Sequence, residues 1–479
     1  MQIPERFKHI IENIKTLANE INIPVYIVGG FTRDIIMGRD PKDLDIMADY
    51  PDGGIWFSKQ LSQKFGYSDP VVFPRFGTAQ LTTGNNTIEF VMPRSEYYYE
   101  DSRKPDTEYT SIQADALRRD FSINAFFYRI NDDTLLDLTG HGLSDIDNKV
   151  INVTDRGNED IIFTQDPLRL LRAVRFACQL DFEISAETWL GILRNVEKIK
   201  TISTERINEE LNKILVSKHI LMGIEMLRVS RLIDYIIPEV NTMYDMKQPD
   251  EFHHKDVYQH TLLVLDNIKN TLELRLTALL HDVGKPIKRT ILEDKIHFYE
   301  HEQASGDIAK DVLTRLKYSN DIINKVEFLI RNHMRPHSFS NHWSDSAVRR
   351  FVRDMGDNLE DIFEIVRADV TSSKPDKVQM HLDNLDKFKE RIRQLEEIAK
   401  SASIKPLLNG NELMSIFVKG PGKWIKEVHE KLIERQLENP NLSREEAITI
   451  AKGVLEEGMD SEEAWPDNPG VNPMGNSII

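Results

Sequence analysis

The chain has 479 residues, 40% hydrophobic and 29% charged, proportions that allow a buried core and argue against global disorder. At roughly 100 to 200 residues per domain this length implies about three or four domains and excludes a single small module. A formal net charge of -17 excludes a protein that grips nucleic acid over its whole surface, so any such contact must be local.

The first third mixes strand and turn signals. Val25-Tyr26-Ile27-Val28 is a short apolar run ended by Gly29-Gly30, with a helical stretch following through Ile35-Ile36-Met37. It reads as strand, tight turn, helix. Leu44–Met47, Thr78–Leu81, Thr87–Val91 (across Gly84-Asn85-Asn86) and Phe126–Ile130 predict the rest of a small antiparallel or mixed sheet. From about Ile161 the apolar residues recur at helical spacing almost without interruption, which makes the fold class α+β, a sheet-bearing head followed by helices. Polar stretches near Asn241–Asp250 and Thr371–Lys377 read as linkers, and no internal repeat is visible. Residues 437–479 carry nine acidic residues against Arg444 and Lys452, and the end from Gly458 is rich in Pro, Gly and Asn, so a mobile acidic extension is expected. No stretch approaches about 18 consecutive apolar residues, and Met1–Arg6 lack the order of a secretory leader. With one cysteine, Cys178, and hence no internal disulfide, a cytoplasmic setting without membrane contact is expected.

Asp43-Leu44-Asp45 places two carboxylates at i and i+2, which on a strand points both to one face. Two hard oxygen ligands of this kind suit Mg2+, which binds one or two carboxylates together with substrate phosphates. Such a site activates an attacking hydroxyl and neutralises a pyrophosphate leaving group. Glu89, between apolar Ile88 and Phe90, is a third acidic candidate, because an inward carboxylate there is otherwise costly. Taken alone, Asp-x-Asp is equally a solvated turn. The Gly29-Gly30 turn lets backbone N–H groups approach a triphosphate, and Arg33 adds a charge-assisted donor.

Together, Val28–Asp34 and Gly38–Ile46 resemble the nucleotidyltransferase head shared by tRNA CCA-adding enzymes and bacterial poly(A) polymerases, members of the polymerase-beta-like superfamily. Arg94–Tyr98 with Ser102-Arg103-Lys104-Pro105, and Asp115-Ala116-Leu117-Arg118-Arg119-Asp120 through Ala125, follow in the family's order. The resemblance implies that Arg118 and Arg119 neutralise triphosphate charge and that Asp120 accepts from a ribose hydroxyl. Asp166 and Arg169, three apart after Thr164-Gln165, could form an ordinary intrahelical ion pair. The resemblance gives them a sharper role, presenting a protein template to the Watson–Crick edge of incoming CTP or ATP. Arg172 and Arg175 match family positions near the triphosphate. Gln165 departs from the acidic residue usual there, which bears on the template's hydrogen bonding. Ser203–Leu211 resembles the next motif, on supporting helices, and equally a capped helix.

His281-Asp282 in Leu279–Pro286 resembles the signature of the HD phosphohydrolase superfamily, with His260 and Asp369 matching in family order. Such ligands could hold one or two divalent metals and activate water for phosphoester hydrolysis. His301 and His333 are left open, whereas His253, His254 and His337 read as surface or linker residues. Pro406–Met414 and Lys419–Ile425 resemble the family's C-terminal arm, where lysines beside glycines suit an RNA phosphate.

The implied organisation is a nucleotidyltransferase head at 1–155, a helical neck for base and RNA binding at 156–245, an HD domain at 246–375, a C-terminal arm at 376–457 and the acidic tail at 458–479. The implied activity is template-independent addition of C, C and A from CTP and ATP to the 3′ end of tRNA, with Mg2+ and a second divalent metal in the HD site. CC-only, A-only or poly(A) addition, and a phosphohydrolase whose head merely binds RNA, are the alternatives. The segment Tyr97–Pro105 resembles the loop associated with the switch to adding A, which argues against CC-only addition.

Overall fold

A computed structural model describes residues 2–84, 86–97, 106–247, 256–293, 295–339, 343–371, 375–401, 406–439 and 441–459. The Tyr98–Pro105 segment, His253, His254 and residues 460–479 of the expected tail lie outside them. The described residues up to His333, with Thr371, form one compact unit, and those of Met334–Val370 and beyond position 374 form a second.

The first unit opens with α1 (Glu5–Glu20), whose apolar Phe7, Ile10, Ile11, Ile14, Leu17 and Ala18 recur at helical spacing and are buried. β1 (Val25–Val28), α2 (Gly30–Ile36), β2 (Leu44–Ala48), α3 (Gly53–Phe65), β3 (Val71–Phe73), β4 (Thr78–Thr83) and β5 (Asn86–Val91) follow. Next come β6 (Arg94–Tyr97), β7 (Asp106–Tyr109), α4 (Ile112–Leu117), β8 (Phe126–Arg129) and β9 (Thr134–Asp137). Seven strands form one mixed sheet in the order β3-β4-β5-β2-β1-β8-β9, with β2 and β5 parallel and the other neighbours antiparallel. β6 and β7 pair separately as a hairpin.

Strand alternation sorts the two faces of this sheet. Leu44, Ile46 and Ala48 of β2 join Val25, Ile27, Ile88 and Phe90 in the core that receives α1 and α3. The intervening Met47 packs instead with Tyr26, Val28, Ala116 and Phe127. Asp45 shares that second face by parity, and so does Glu89, its direct partner across the parallel β2–β5 pair.

Helices dominate thereafter: α5 (Gly142–Asp147), the short parallel pair β10 (Val150–Ile151) and β11 (Glu183–Ile184), α6 (Glu159–Gln165), α7 (Leu168–Leu180), α8 (Ala186–Asn195), α9 (Thr204–Leu215) and α10 (Ile220–Val229). α7 is the buried axis of this region, with α9 and α10 packed on it. Gly223 lets α10 approach closely, since a Cβ there would lie 2.7 Å from Cys178 Sγ. After α11 (Ile233–Ile236) and α12 (Pro238–Asn241) come α13 (Val257–Asn267), α14 (Leu272–Leu280), α15 (Lys285–Lys288), the hairpin β12 (Thr290–Leu292) and β13 (Lys295–His297), α16 (His301–Arg315) and α17 (Asn320–Asn332).

The second unit contains α18 (Asp345–Met355), α19 (Leu359–Asp369), α20 (Pro375–Ser401), α21 (Gly410–Phe417), α22 (Lys423–Glu438) and α23 (Arg444–Met459). Phe339, Trp343, Phe351, Phe363 and Phe388 form its aromatic cluster, with Phe339 and Phe388 stacked at 4.1 Å. These rings join α18 and α19 to α20.

Candidate active sites

The first site grows from the edge of β2. The strand begins at Leu44, so Asp43 stands on its extended approach rather than within it, and it is exposed whereas Asp45 is half-buried. Burial, the neighbouring Glu89 and Asp43 raise the pKa of Asp45 to about 7, against the opposing pull of Arg119. Three carboxylates thus crowd one end of the sheet with too little positive charge to balance them, a donor set of hard oxygens that suits a divalent cation. Gly29 faces this point in a left-handed conformation (φ 73°), and a Cβ there would sit 3.2 Å from Asp45 Oδ2. Only glycine leaves that approach open.

A shell of arginines borders the carboxylates. Arg33 on α2 is buried, donating to Asn124 Oδ1 at 2.6 Å and to Asp34 at 2.7 Å. Arg118 and Arg119, just after α4, both bond Asp115. Asp120 is buried too, and it accepts from Arg172 Nε at 2.7 Å, Asn124 at 3.1 Å and the Phe121 backbone N–H at 2.8 Å. Burial alone would raise its pKa; Arg172 and Asn124 hold it far below the carboxylate range. Asp120 therefore faces Arg172, and its oxygens orient that guanidinium. Arg175 ion-pairs with the buried Glu210 of α9 at 3.0 Å. Burial and the nearby Arg172 lower its pKa to about 10. Arg33, Arg172 and Arg175 all stack over the ring of Phe176, at 5.2, 5.3 and 4.0 Å. Sequence reading assigned no role to Phe176, Glu210 or Asp115, because their partners are distant in sequence or their side chains are locally unremarkable.

Asp166 occupies the break between α6 and α7, with extended backbone. Its Oδ1 accepts from the Leu168 N–H at 3.2 Å and its Oδ2 from Arg206 of α9 at 2.9 Å. Arg169 is buried and donates to the carbonyls of Ile162 at 3.1 Å and Arg118 at 2.5 Å. The pair thus sits at the junction of head and neck, each member braced from a different element. Gln165 is exposed at the end of α6.

The second site lies among α13, α14, α16 and α17. His281 Nε2 and His260 Nε2 approach within 3.3 Å, and both stand 3.3–3.4 Å from Asp282 Oδ2, while His301 Nε2 is 3.3 Å from Asp282 Oδ1. One nitrogen or oxygen from each of Asp282, His301 and His333 falls within 4.8 Å of the others, and all three residues are buried. The Nδ1 atoms of His281, His301 and His333 meet the carbonyls of Ala278, Phe298 and Ile330 at 2.8, 3.0 and 2.6 Å. A carbonyl only accepts, so each Nδ1 donates there and each Nε2 turns inward, the orientation in which imidazole can meet a metal. His260 Nδ1 pairs with Thr371 Oγ1 at 2.8 Å. Burial alone would raise the pKa of Asp282; His281 and Lys285, whose Nζ is 2.7 Å away, keep it well below its ordinary value. Inward-turned ring nitrogens around a carboxylate fit a divalent cation. Gly284 is required here, since a Cβ would meet the Ser305 nitrogen of α16 at 2.5 Å. His301 and His333, left open by the sequence, belong to this cluster. Asp369 ends α19 in the second unit, 3.5 Å from His337, which is therefore not a bare surface residue.

An acidic strand pair under an arginine shell, a helical neck and a buried His/Asp cluster define a nucleotidyltransferase with an appended HD domain. Comparison with known families agrees: a poly A polymerase head domain matches residues 25–152, a probable RNA and SrmB-binding site of polymerase A matches 181–243, and an HD domain matches 253–374. The chain thus carries, in order, the head, the RNA-binding neck and the HD domain of the tRNA nucleotidyltransferase and poly(A) polymerase type. It is 26% identical to the CC-adding tRNA nucleotidyltransferase of Thermus thermophilus over 88% of this chain and 91% of that one. It is 28% identical to the A-adding tRNA nucleotidyltransferase of Deinococcus radiodurans over 85% and 90%. The crystal structure of the Bacillus stearothermophilus CCA-adding enzyme in complex with CTP shares the fold, with a TM-score of 0.62 at 18% identity over 96% of this chain and all of that one. Among the described residues no helix is long and apolar enough to cross a membrane.

Proposed function

We propose that this nucleotidyltransferase adds C, C and A from CTP and ATP to the 3′ end of tRNA, releasing pyrophosphate. The observation that carries the reading is the convergence of Asp43, Asp45 and Glu89 on one sheet end within reach of the Arg119 charge. Asp43 and Asp45 would hold Mg2+, which when bound activates the 3′ hydroxyl and offsets pyrophosphate charge. Arg33, Arg118, Arg119, Arg172 and Arg175 supply positive charge to the triphosphate, already oriented by Asp34, Asp115, Asp120 and Glu210, so little reorganisation is needed on binding. At the α6–α7 break, Asp166 accepts from the exocyclic amine shared by cytosine and adenine, and Arg169 donates to ring acceptors. Relatives of similar identity add CC or A alone, so the product must be measured. Purified protein with a tRNA transcript lacking its 3′ CCA, given CTP, ATP or both, should extend it by C, C and A and stop. Arrest after two C residues, addition of A only to a CC-ended transcript, or a long A tract would replace the reading with the corresponding specialised transferase.

A second activity is supported by the orientation of the His281, His301 and His333 rings around Asp282. With a divalent metal held there, we read the HD site as a phosphoesterase for RNA-terminal or small phosphoesters. Opening of a 2′,3′-cyclic phosphate end to a phosphomonoester, or release of phosphate from a 3′-phosphate end, checks it, and a metal-loaded protein inert to both would remove it.

A further inference from the structure

Asp115 lies on the short α4, and its side chain is completely buried. Burial alone would raise its pKa, but Arg119 and Arg118 keep it below the ordinary carboxylate value. Its two oxygens divide the work. Oδ1 accepts from Arg118 at 2.6 Å (from its terminal nitrogen) and 3.0 Å (from Nε), while Oδ2 takes Arg119 Nε at 3.0 Å and stands 2.9 Å from a terminal nitrogen of the same guanidinium. Forked contacts of this kind fix the plane of a guanidinium as well as its place. The Arg119 group also lies 4.8 Å over Phe127, and its charge reaches Asp45.

The same knot holds the base of the β6–β7 hairpin. Oδ1 accepts the Arg94 backbone N–H at 3.2 Å, and Arg118 Nε donates to the Arg94 carbonyl. Both polar groups of the first hairpin residue are therefore bonded to the arginine pair or its carboxylate. One carboxylate thus holds two guanidinium groups, one of which faces the acidic strand pair.

We propose that Asp115 is a positioning residue for nucleotide binding: it presets Arg118 and Arg119 as one phosphate receptor and ties their placement to the β6–β7 hairpin. This rests on the nucleotidyl-transfer reading. The test is Asp115→Asn in the full chain, with KM and kcat for CTP and the inhibition constant of pyrophosphate measured on a tRNA transcript. Loss of a charged hydrogen-bond acceptor should raise KM and the pyrophosphate constant about tenfold or more, with kcat changed less. Arg119→Lys should cost less in the Asp115→Asn background than in the wild type, because the two act as a unit. A folded Asp115→Asn protein with unchanged KM and pyrophosphate constant overturns the proposal. If that variant gives no cooperative melt, Asp115→Glu is read in the same way: its charge is kept but the longer side chain displaces both guanidinium groups, and unchanged constants again overturn it. Absence of addition by the wild type would instead sink the transferase reading itself.

Discussion

The acidic face of the head and the histidine cluster of the HD region are both suited to divalent metals, but they are built on opposite plans. The head offers hard carboxylates, one exposed and one driven up to about 7 by burial and its like-charged neighbours, and leaves the balance to come from outside. The HD cluster is buried and supplies imidazoles whose rings are already oriented by backbone carbonyls. A site completed by substrate phosphates must stay open and electrostatically unfinished; a site that keeps its metal can be closed and prearranged.

The contrast can be broken most severely at Asp45. Asp45→Ala should lower single-turnover nucleotide addition by about three orders of magnitude or more, and near-normal rates would mean the carboxylates are not the metal site. On the other side, Asp282→Asn should remove tightly held metal, read by elemental analysis of the purified protein, while leaving addition within about twofold of wild type. A smaller effect belongs to Arg206, which braces Asp166. Arg206→Ala should cut discrimination against UTP and GTP by about tenfold, measured as ratios of kcat/KM, and unchanged ratios would detach Arg206 from base choice.

The smallest expected effect concerns stability. Asp45 has a folded-state pKa raised from 3.8 to about 7, so its ionisation opposes folding progressively between those values and fully above them. In metal-free protein, Asp45→Asn should melt about a few degrees higher than wild type at pH 8, with the gap closing towards pH 4. Equal melting at both pH values would remove the like-charge crowding on which the contrast depends.

Alternation along β2 and β5 made Asp45 and Glu89 legible from sequence, because a period of two sorts the faces whatever the partner strand. What it could not show was that pairing starts only at Leu44, leaving Asp43 on the approach. His281 and Asp282 stood out by adjacency, whereas His301 and His333 enter through the packing of α16 and α17, which no local pattern reveals. The partners that brace Asp120, Asp166 and Arg169 lie far along the chain, so no local pattern reveals them. The β6–β7 hairpin was missed as well: its strands are four residues each and pair only with one another.

The most direct single measurement places wild type, Asp45→Ala and Asp282→Asn side by side on one tRNA transcript lacking CCA and one ending in a 2′,3′-cyclic phosphate, with products resolved at single-nucleotide resolution. Asp45→Ala should lose extension but still open the cyclic phosphate to a phosphomonoester, and Asp282→Asn should do the reverse. Loss of both activities in either variant, or extension by Asp45→Ala at the wild-type rate, would contradict two separately built sites.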